Sequence, residues 1–399
     1  MSKLRERIVA TLIDRRNKVL NGGINCIPSP FTRFRQDLPG IEQGKLYLIS
    51  GGTKAAKSQI TLYLFVLNTL LYCYNNPNKV KIKIFFFPLE ESKEAVTLKV
   101  MAFLLHYITN GEINISPTDL KSTDERKPLS QEILNLMSSQ KFIDLMNLYE
   151  EIVIFSDESN RVGIYKVLDN YAKTHGEFHY KNIKVKEIDE LGLVHEVDRK
   201  VFDYYTSNNP DEYVIAIVDH VSLLSPIKSE DLRLTISNFA EDCIKLRNNC
   251  NMTFAIVQQQ NIESTGLDAY KAGKIRPTIP GLADCKDFGK ACNMMLGITN
   301  PHIHELPEYL GYDITKLKGN ARFVEIVVNR DGNSNGICPL FFNGAINYFK
   351  ELPVPSDKAS MDKVYHYLNN LREQRKQSYS NLTTQAKVFI AWAKSLIIK

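Results

Sequence analysis

No two cysteines in this chain stand at zinc-binding spacing. The seven thiols are Cys26, Cys73, Cys243, Cys250, Cys285, Cys292 and Cys338, with no C-x-x-C among them, which excludes a zinc-binding primase module or zinc ribbon. Their odd number, and the lack of an apolar leader after Met1, point to reduced thiols and a cytoplasmic setting. Long apolar runs are missing too. The longest, Ile60 to Tyr74, is too short for a membrane span and carries Thr61, Tyr63 and Asn68, so no membrane partner is expected. Charge of one sign is scarce, since 50 Lys and Arg against 45 Asp and Glu leave only +5. A nucleic-acid surface would therefore have to be a local patch. There are no repeats or low-complexity tracts. His302 and His304 have no further ligands at metal spacing and read as structural. The single tryptophan, Trp392, reads as a packing residue.

One missing glycine matters more. Residues 51–58 read Gly51-Gly52-Thr53-Lys54-Ala55-Ala56-Lys57-Ser58. They fit the phosphate-loop pattern G-x-x-x-x-G-K-[ST], except that Ala56 replaces the second glycine. The strand-like Lys45 to Ser50 precedes them, and the Gly- and Pro-free stretch Gln59 to Tyr74 follows as a predicted helix. In that context the loop's backbone N–H groups would cradle the phosphates of ATP or another NTP. Lys57 would reach the β/γ-phosphates and Ser58 would hold Mg²⁺.

Around this motif the chain alternates strand-like and helical stretches. Strands are expected at Leu46–Ile49, Ile82–Phe87, Ile152–Phe155, Val214–Val218, Thr253–Val257, Met294–Gly297, Phe323–Val328 and Pro339–Phe342. Continuous apolar runs suit a parallel sheet buried on both faces, hence an α/β core. A basic amphipathic helix precedes it and stops at Asn21-Gly22-Gly23. Two polar stretches, 110–135 and 176–212, read as insertions, the second as a β-hairpin or a partly mobile segment. Charged helices are expected after Pro353 and Pro355, at about 357–375 and 384–397.

Four features end predicted strands. Glu90, after Phe85-Phe86-Phe87-Pro88, is either the carboxylate that polarises an attacking water or an acid in a helix's first turn. Asp219, after Val214 to Val218, has the Walker-B position that holds Mg²⁺, with a helix N-cap as the alternative. Gln258 could sense the γ-phosphate. Arg330, before a tight Asp331-Gly332 turn, could act as an arginine finger or sit in a surface ion pair. Between the last two, Ser264 to Pro280 is a Gly-containing loop with Lys271, Lys274 and Arg276, suited to a phosphate backbone or simply solvated.

Taken in order, these motifs resemble the RecA-like ATPase domain of DnaB-type replicative helicases over residues 24–349. The resemblance is carried by Ile27 to Phe34, Gly40 to Leu46, the phosphate loop, Phe87 to Ser92, Asp219 to Leu223, Val257 to Asn261, Pro277 to Leu296, and Asn329 to Gly344. It departs at Ala56, at Val328 where Lys is common, and at Ala283-Asp284 where Arg-Glu is common. It implies a RecA-like P-loop NTPase fold and a hexameric ring with ATP sites between subunits, translocating on single-stranded DNA. Glu90 would activate water, Gln258 would relay nucleotide state to the DNA loops, and Arg330 would come from the next subunit. A primase or a loader is the further partner implied. The decorated core suits a phage or mobile element, so the cytoplasm would be that of a bacterial host. The implied organisation is a linker helix (1–23), an ATPase domain (24–352) and a C-terminal extension (353–399). A DNA-binding ATPase without unwinding activity, such as a recombination mediator or loader, is the competing reading. No primase-interacting N-terminal domain is expected in the residues before the match.

Overall fold

The apolar runs pair into one nine-stranded sheet. In chain order its strands are β1 (Leu46–Gly51), β2 (Lys81–Pro88), β3 (Val153–Phe155), β4 (Glu212–Asp219), β5 (Thr253–Gln259), β6 (Met294–Thr299), β7 (Ala321–Asn329), β8 (Ile337–Asn343) and β9 (Tyr348–Glu351). Their spatial order is β9-β8-β7-β6-β1-β5-β4-β2-β3. Strands β1 to β6 run parallel to one another, and β7, β8 and β9 add an antiparallel meander at the β6 edge. This computed structural model describes residues 3–188, 193–261, 266–334 and 336–373. The helix expected at 384–397, Trp392 and Ser264 lie outside them.

Both faces of the parallel strands are covered, which is why their sequences are apolar without alternation. On one face Ile215 and Ile217 of β4 pack with Ile49, Phe86 and Ile298. On the other, Ala216 and Val218 pack with Leu48, Phe87 and Ile256. Burying each of the larger side chains stabilises the fold by about 1.5–3 kcal/mol. A third cluster joins Tyr309, Phe323 and Phe341 beside the meander to Met361 and Leu368. The latter two belong to helical residues 358–373.

The segment after the phosphate loop departs from the single helix expected there. A helix at Lys57–Thr61 widens into a π-helical turn at Leu62–Leu67 before Asn68–Asn75 resumes the ordinary pitch. Nearly all of that turn is buried, so no polar face marks it in the sequence. The stretch 176–212 contains a long antiparallel ribbon, Gly176–Ile188 against Val194–Ser207. Within 110–135 a capping box between Ser116 and Asp119 starts the short helix Pro117–Leu120. The N-terminal helix Lys3–Leu20 is tethered by Lys18 to Asp211 at 2.5 Å and by Arg15 to Glu42 at 3.2 Å. It leaves Ile8, Val9, Leu12, Ile13, Val19 and Leu20 exposed. Among the described residues no helix is long and apolar enough to cross a membrane.

Candidate active site

The carboxyl ends of β1, β2, β4 and β5 lie side by side, because these strands are parallel neighbours. The phosphate loop leaves β1 there. Gly51 has no room for a side chain, since a Cβ would sit 2.6 Å from the Ile298 carbonyl oxygen. Ala56 keeps the backbone shape that its missing glycine would favour, with φ +77° and ψ +37°, and Lys54 is also left-handed at φ +59°. For residues with a Cβ that shape costs about 1–2 kcal/mol each. Ala56 also caps the following helix without a side-chain hydrogen bond, leaving the first-turn N–H groups without a competing side-chain acceptor at the cap.

Lys57 folds back and donates to the Gly52 carbonyl at 3.1 Å. Burial lowers its pKa, and the carboxylates of Asp219 and Glu90 oppose that shift. Ser58 Oγ donates to Asp219 Oδ1 at 3.1 Å. Burial pushes Asp219 up to about 6, against the Ser58 hydrogen bond and with the help of the Glu90 and Glu91 charges. A hydroxyl and a carboxylate side by side form a hard oxygen pair of the kind Mg²⁺ takes from a protein when phosphate and water supply the other ligands. Among the described residues there is no cluster of three or more acidic, His or Cys ligands, and this mode of binding requires none.

Two adjacent carboxylates compete for the role of base, and their neighbours separate them. Lys99 donates to both oxygens of Glu91, at 2.6 and 2.5 Å. Glu90 has no such partner. Its nearest cationic candidate is His220, Nε2 to Oε2 3.8 Å, and Glu90 is half exposed. Burial lowers the His220 pKa, so the ring is neutral at neutral pH and leaves Glu90 free to accept a proton. The Leu89 and Glu90 N–H groups donate to the Asp219 carbonyl at 2.8 and 3.3 Å, which locks the β2 exit to the β4 end. Ser92 caps the next helix, Lys93–Ile108, by accepting from Ala95 N–H.

Gln258 and Gln259 at the end of β5, and Gln260 just past it, take different partners. Gln258 is fully buried, and its amide donates to the Ala283 and Cys285 carbonyls at 2.7 and 2.6 Å. It cannot touch a phosphate. Its neighbour Gln259 points to the other face and donates to Thr53 Oγ1 of the phosphate loop at 2.9 Å. Gln260 donates to Ser50 Oγ and to the Thr278 carbonyl. The contact that can report loop state therefore falls to Gln259, while Gln258 and Gln260 pin the 278–285 segment to the same rim.

No family model matches this chain, and no curated protein matches it. Solved structures do. The "ATPase Domain of G40P" superposes with a TM-score of 0.60 at 14% identity, covering 88% of this chain and 100% of that one. A structure described as a DnaB-like replicative helicase and its interactions with primase gives 0.56 at 14%, covering 88% and 67%. In fold the chain is similar to both, a mainly parallel RecA-like sheet flanked by helices.

Arg330 does not join the other groups of the RecA-like rim. β7 runs antiparallel to β6, with Asn329 opposite Met294, and Met294 is level with Tyr47 at the start of β1. Arg330 thus sits at the opposite rim, about 13–17 Å of strand away from Gly51. Its guanidinium donates to the Lys290 carbonyl and is exposed. Three of the four strand-end features thus share one rim, and Arg330, on the reversed strand, lies at the other.

In the basic loop, Lys271 and Lys274 are exposed. Arg276 is engaged differently: it makes a two-donor contact with Glu325, whose side chain is 7% exposed. Burial raises Glu325 and Arg276 opposes the shift. Arg276 is itself 42% exposed, but its guanidinium is tied to Glu325 at the base of the loop. One residue of the RecA-like site went unread in the sequence. Arg322, at the start of β7, is buried and donates to the Ala55 carbonyl at 2.9 Å. The available signal was a lone cation just ahead of an apolar strand.

Proposed function

We propose that this chain is an ATP-driven replicative DNA helicase of phage or mobile-element type. It works as a hexameric ring that moves on single-stranded DNA by hydrolysing ATP at subunit interfaces. The observation that carries this reading is the separation of Arg330 from Lys57, Ser58, Asp219 and Glu90, at opposite rims of one sheet. An arginine so far from its own loop can reach a γ-phosphate only from a neighbouring copy. The exposed apolar stripe of the N-terminal helix supports assembly, because six large apolar side chains on one projecting helix call for a protein partner. The organisation that goes with this reading is a linker helix at 1–23, an ATPase domain at 24–352 and a C-terminal extension at 353–399. By analogy with the helicase solved with primase in view, a primase or a loader is the expected further partner.

Each residue then has a task. Lys57 meets the β/γ-phosphates once released from the Gly52 carbonyl. Ser58 and Asp219 hold Mg²⁺, which neutralises phosphate charge when bound. Glu90 orients the attacking water and accepts its proton. Gln259 passes loop position to β5, whose other glutamines grip the segment that follows the basic loop. Lys271 and Lys274 contact the DNA backbone.

The test is nucleotide hydrolysis with and without single-stranded DNA, followed by unwinding of a forked duplex. DNA-stimulated turnover with unwinding is the expected result. Stimulated turnover without unwinding favours the competing reading, a RecA-like DNA-binding ATPase acting as mediator or loader. Nucleotide binding with no turnover overturns the motor altogether.

A further inference from the structure

We infer, resting on the nucleotide-binding reading of the loop, that Arg322 is a positioning residue that holds the phosphate loop in shape in place of the glycine missing at position 56. Its guanidinium reaches the loop from behind. Nε donates to the Ala55 carbonyl at 2.9 Å and Nη2 to the Lys54 carbonyl at 3.4 Å. Nη1 donates to the carbonyls of Ala321 at 2.7 Å and Gly319 at 3.0 Å, and the group lies over the Phe342 ring at 4.6 Å. Asn300 adds a second donor to the Lys54 carbonyl at 3.1 Å.

These contacts fall where the loop is least able to hold itself. The Lys54 and Ala55 carbonyls belong to the two peptide units between Lys54 and Ala56, the two left-handed residues of the loop. In a trans peptide the N–H points opposite to the C=O. Drawing the Ala55 carbonyl onto Arg322 therefore turns the Ala56 N–H away from it. A glycine would adopt this shape unaided, but an alanine relaxes to negative φ unless something opposes it. Arg322 suits that role. Its fork is rigid, and its partners are backbone carbonyls. Burial pushes its pKa down only to about 10, so the group stays charged at neutral pH. It makes 267-residue and 268-residue long-range contacts to the loop, so the loop's shape depends on the meander being in place.

The test is a double-mutant cycle on the full chain, with the dissociation constant for Mg·ATP read by titration calorimetry. Arg322→Met should weaken binding about tenfold, the worth of a charge-assisted hydrogen bond or two. Adding Ala56→Gly to Arg322→Met should restore most of the loss, a much larger gain than Ala56→Gly brings to the otherwise unaltered chain, which is a strongly non-additive result. Arg322→Lys keeps the charge but not the fork. It should show an intermediate loss with the same rescue, and it serves if the Met variant does not fold. Wild-type affinity in both Arg322 variants overturns the inference. So does a loss of equal size with and without the Ala56→Gly change, which would make Arg322 a packing residue only. If the wild type binds no nucleotide, the underlying reading falls and this inference falls with it.

Discussion

The rim that carries the phosphate loop is dense with buried polar groups bonded to one another, whereas the opposite rim is open and wet. At the loop rim Ser50, Gln258, Gln260, Asp219 and Arg322 are all buried. Their partners are backbone carbonyls, one another and, for Asp219, the Ser58 hydroxyl. At the other rim Arg330 and Asp331 are exposed, and Lys45 pairs with Asp331 at 2.5 Å across a cleft of about 370 Å³. Groups of the first kind are fixed before a ligand arrives and lose little freedom when it binds. A surface ion pair of the second kind contributes about 0–1 kcal/mol and is exchanged easily. The proposed function uses the first rim to hold the nucleotide and the second to present side chains to a neighbouring subunit.

The sharpest break of that contrast is Glu90→Gln, which should cut turnover about 10²–10⁴-fold. Mg·ATP affinity should stay near wild type, as equilibrium binding will show. Glu91→Gln, whose parent is held by Lys99, should leave most of the activity. Next comes Arg330→Ala, expected to lower turnover about 10³-fold. Mixing Glu90→Gln with Arg330→Ala protein should recover part of the wild-type rate, because some interfaces then combine an intact Glu90 with an intact Arg330. No recovery on mixing would mean that the two rims do not meet across subunits. A smaller effect is expected in the basic loop. Lys271→Ala with Lys274→Ala should weaken single-strand binding about tenfold and flatten its salt dependence by about 1.4 in log–log slope. Arg276→Ala should instead lower stability by about 2 kcal/mol in denaturant unfolding, since it strands the buried Glu325.

The smallest effect concerns pH. Hydrogen bonds from Arg161, with help from Asn238 and Thr235, hold Glu230 down to about 2. Its ordinary value is 4.5. The stability it contributes is therefore complete above about 4.5 and is lost as pH falls from there toward 2. Glu230→Gln should lower stability near neutrality, where that contribution is complete, and flatten the acid limb of the stability curve in that window.

What the sequence disclosed and what it hid divide along the same physical line. The strand-end positions of the loop, Asp219 and Glu90 were legible because each is a local event, an apolar strand followed at once by a polar group. The choice between Gln258 and Gln259 was not legible, since which face a strand-end residue takes depends on the phase of the pleat. The rim occupied by Arg330 depended on the direction of β7, which apolar runs do not encode. Arg322 and the Arg276–Glu325 pair depend on contacts between residues far apart in the chain, although Glu325 inside the apolar run Phe323–Val328 announced that a buried partner was needed. The hairpin within 176–212 showed itself through alternation, Ile183-Lys184-Val185-Lys186, as half-exposed strands do.

β7 carries Arg322 at one end and ends next to Arg330 at the other. Eight residues, about 26 Å of extended backbone, separate Arg322, proposed to brace a subunit's own phosphate loop, from Arg330, proposed to reach the next subunit's phosphate. A strand paired on both sides and largely buried is stiff along its length and held firmly in its register. If copies close into a ring as proposed, each β7 would be a rigid spacer between consecutive sites, and a displacement at one would reach the next as a movement of the whole sheet and not of one strand.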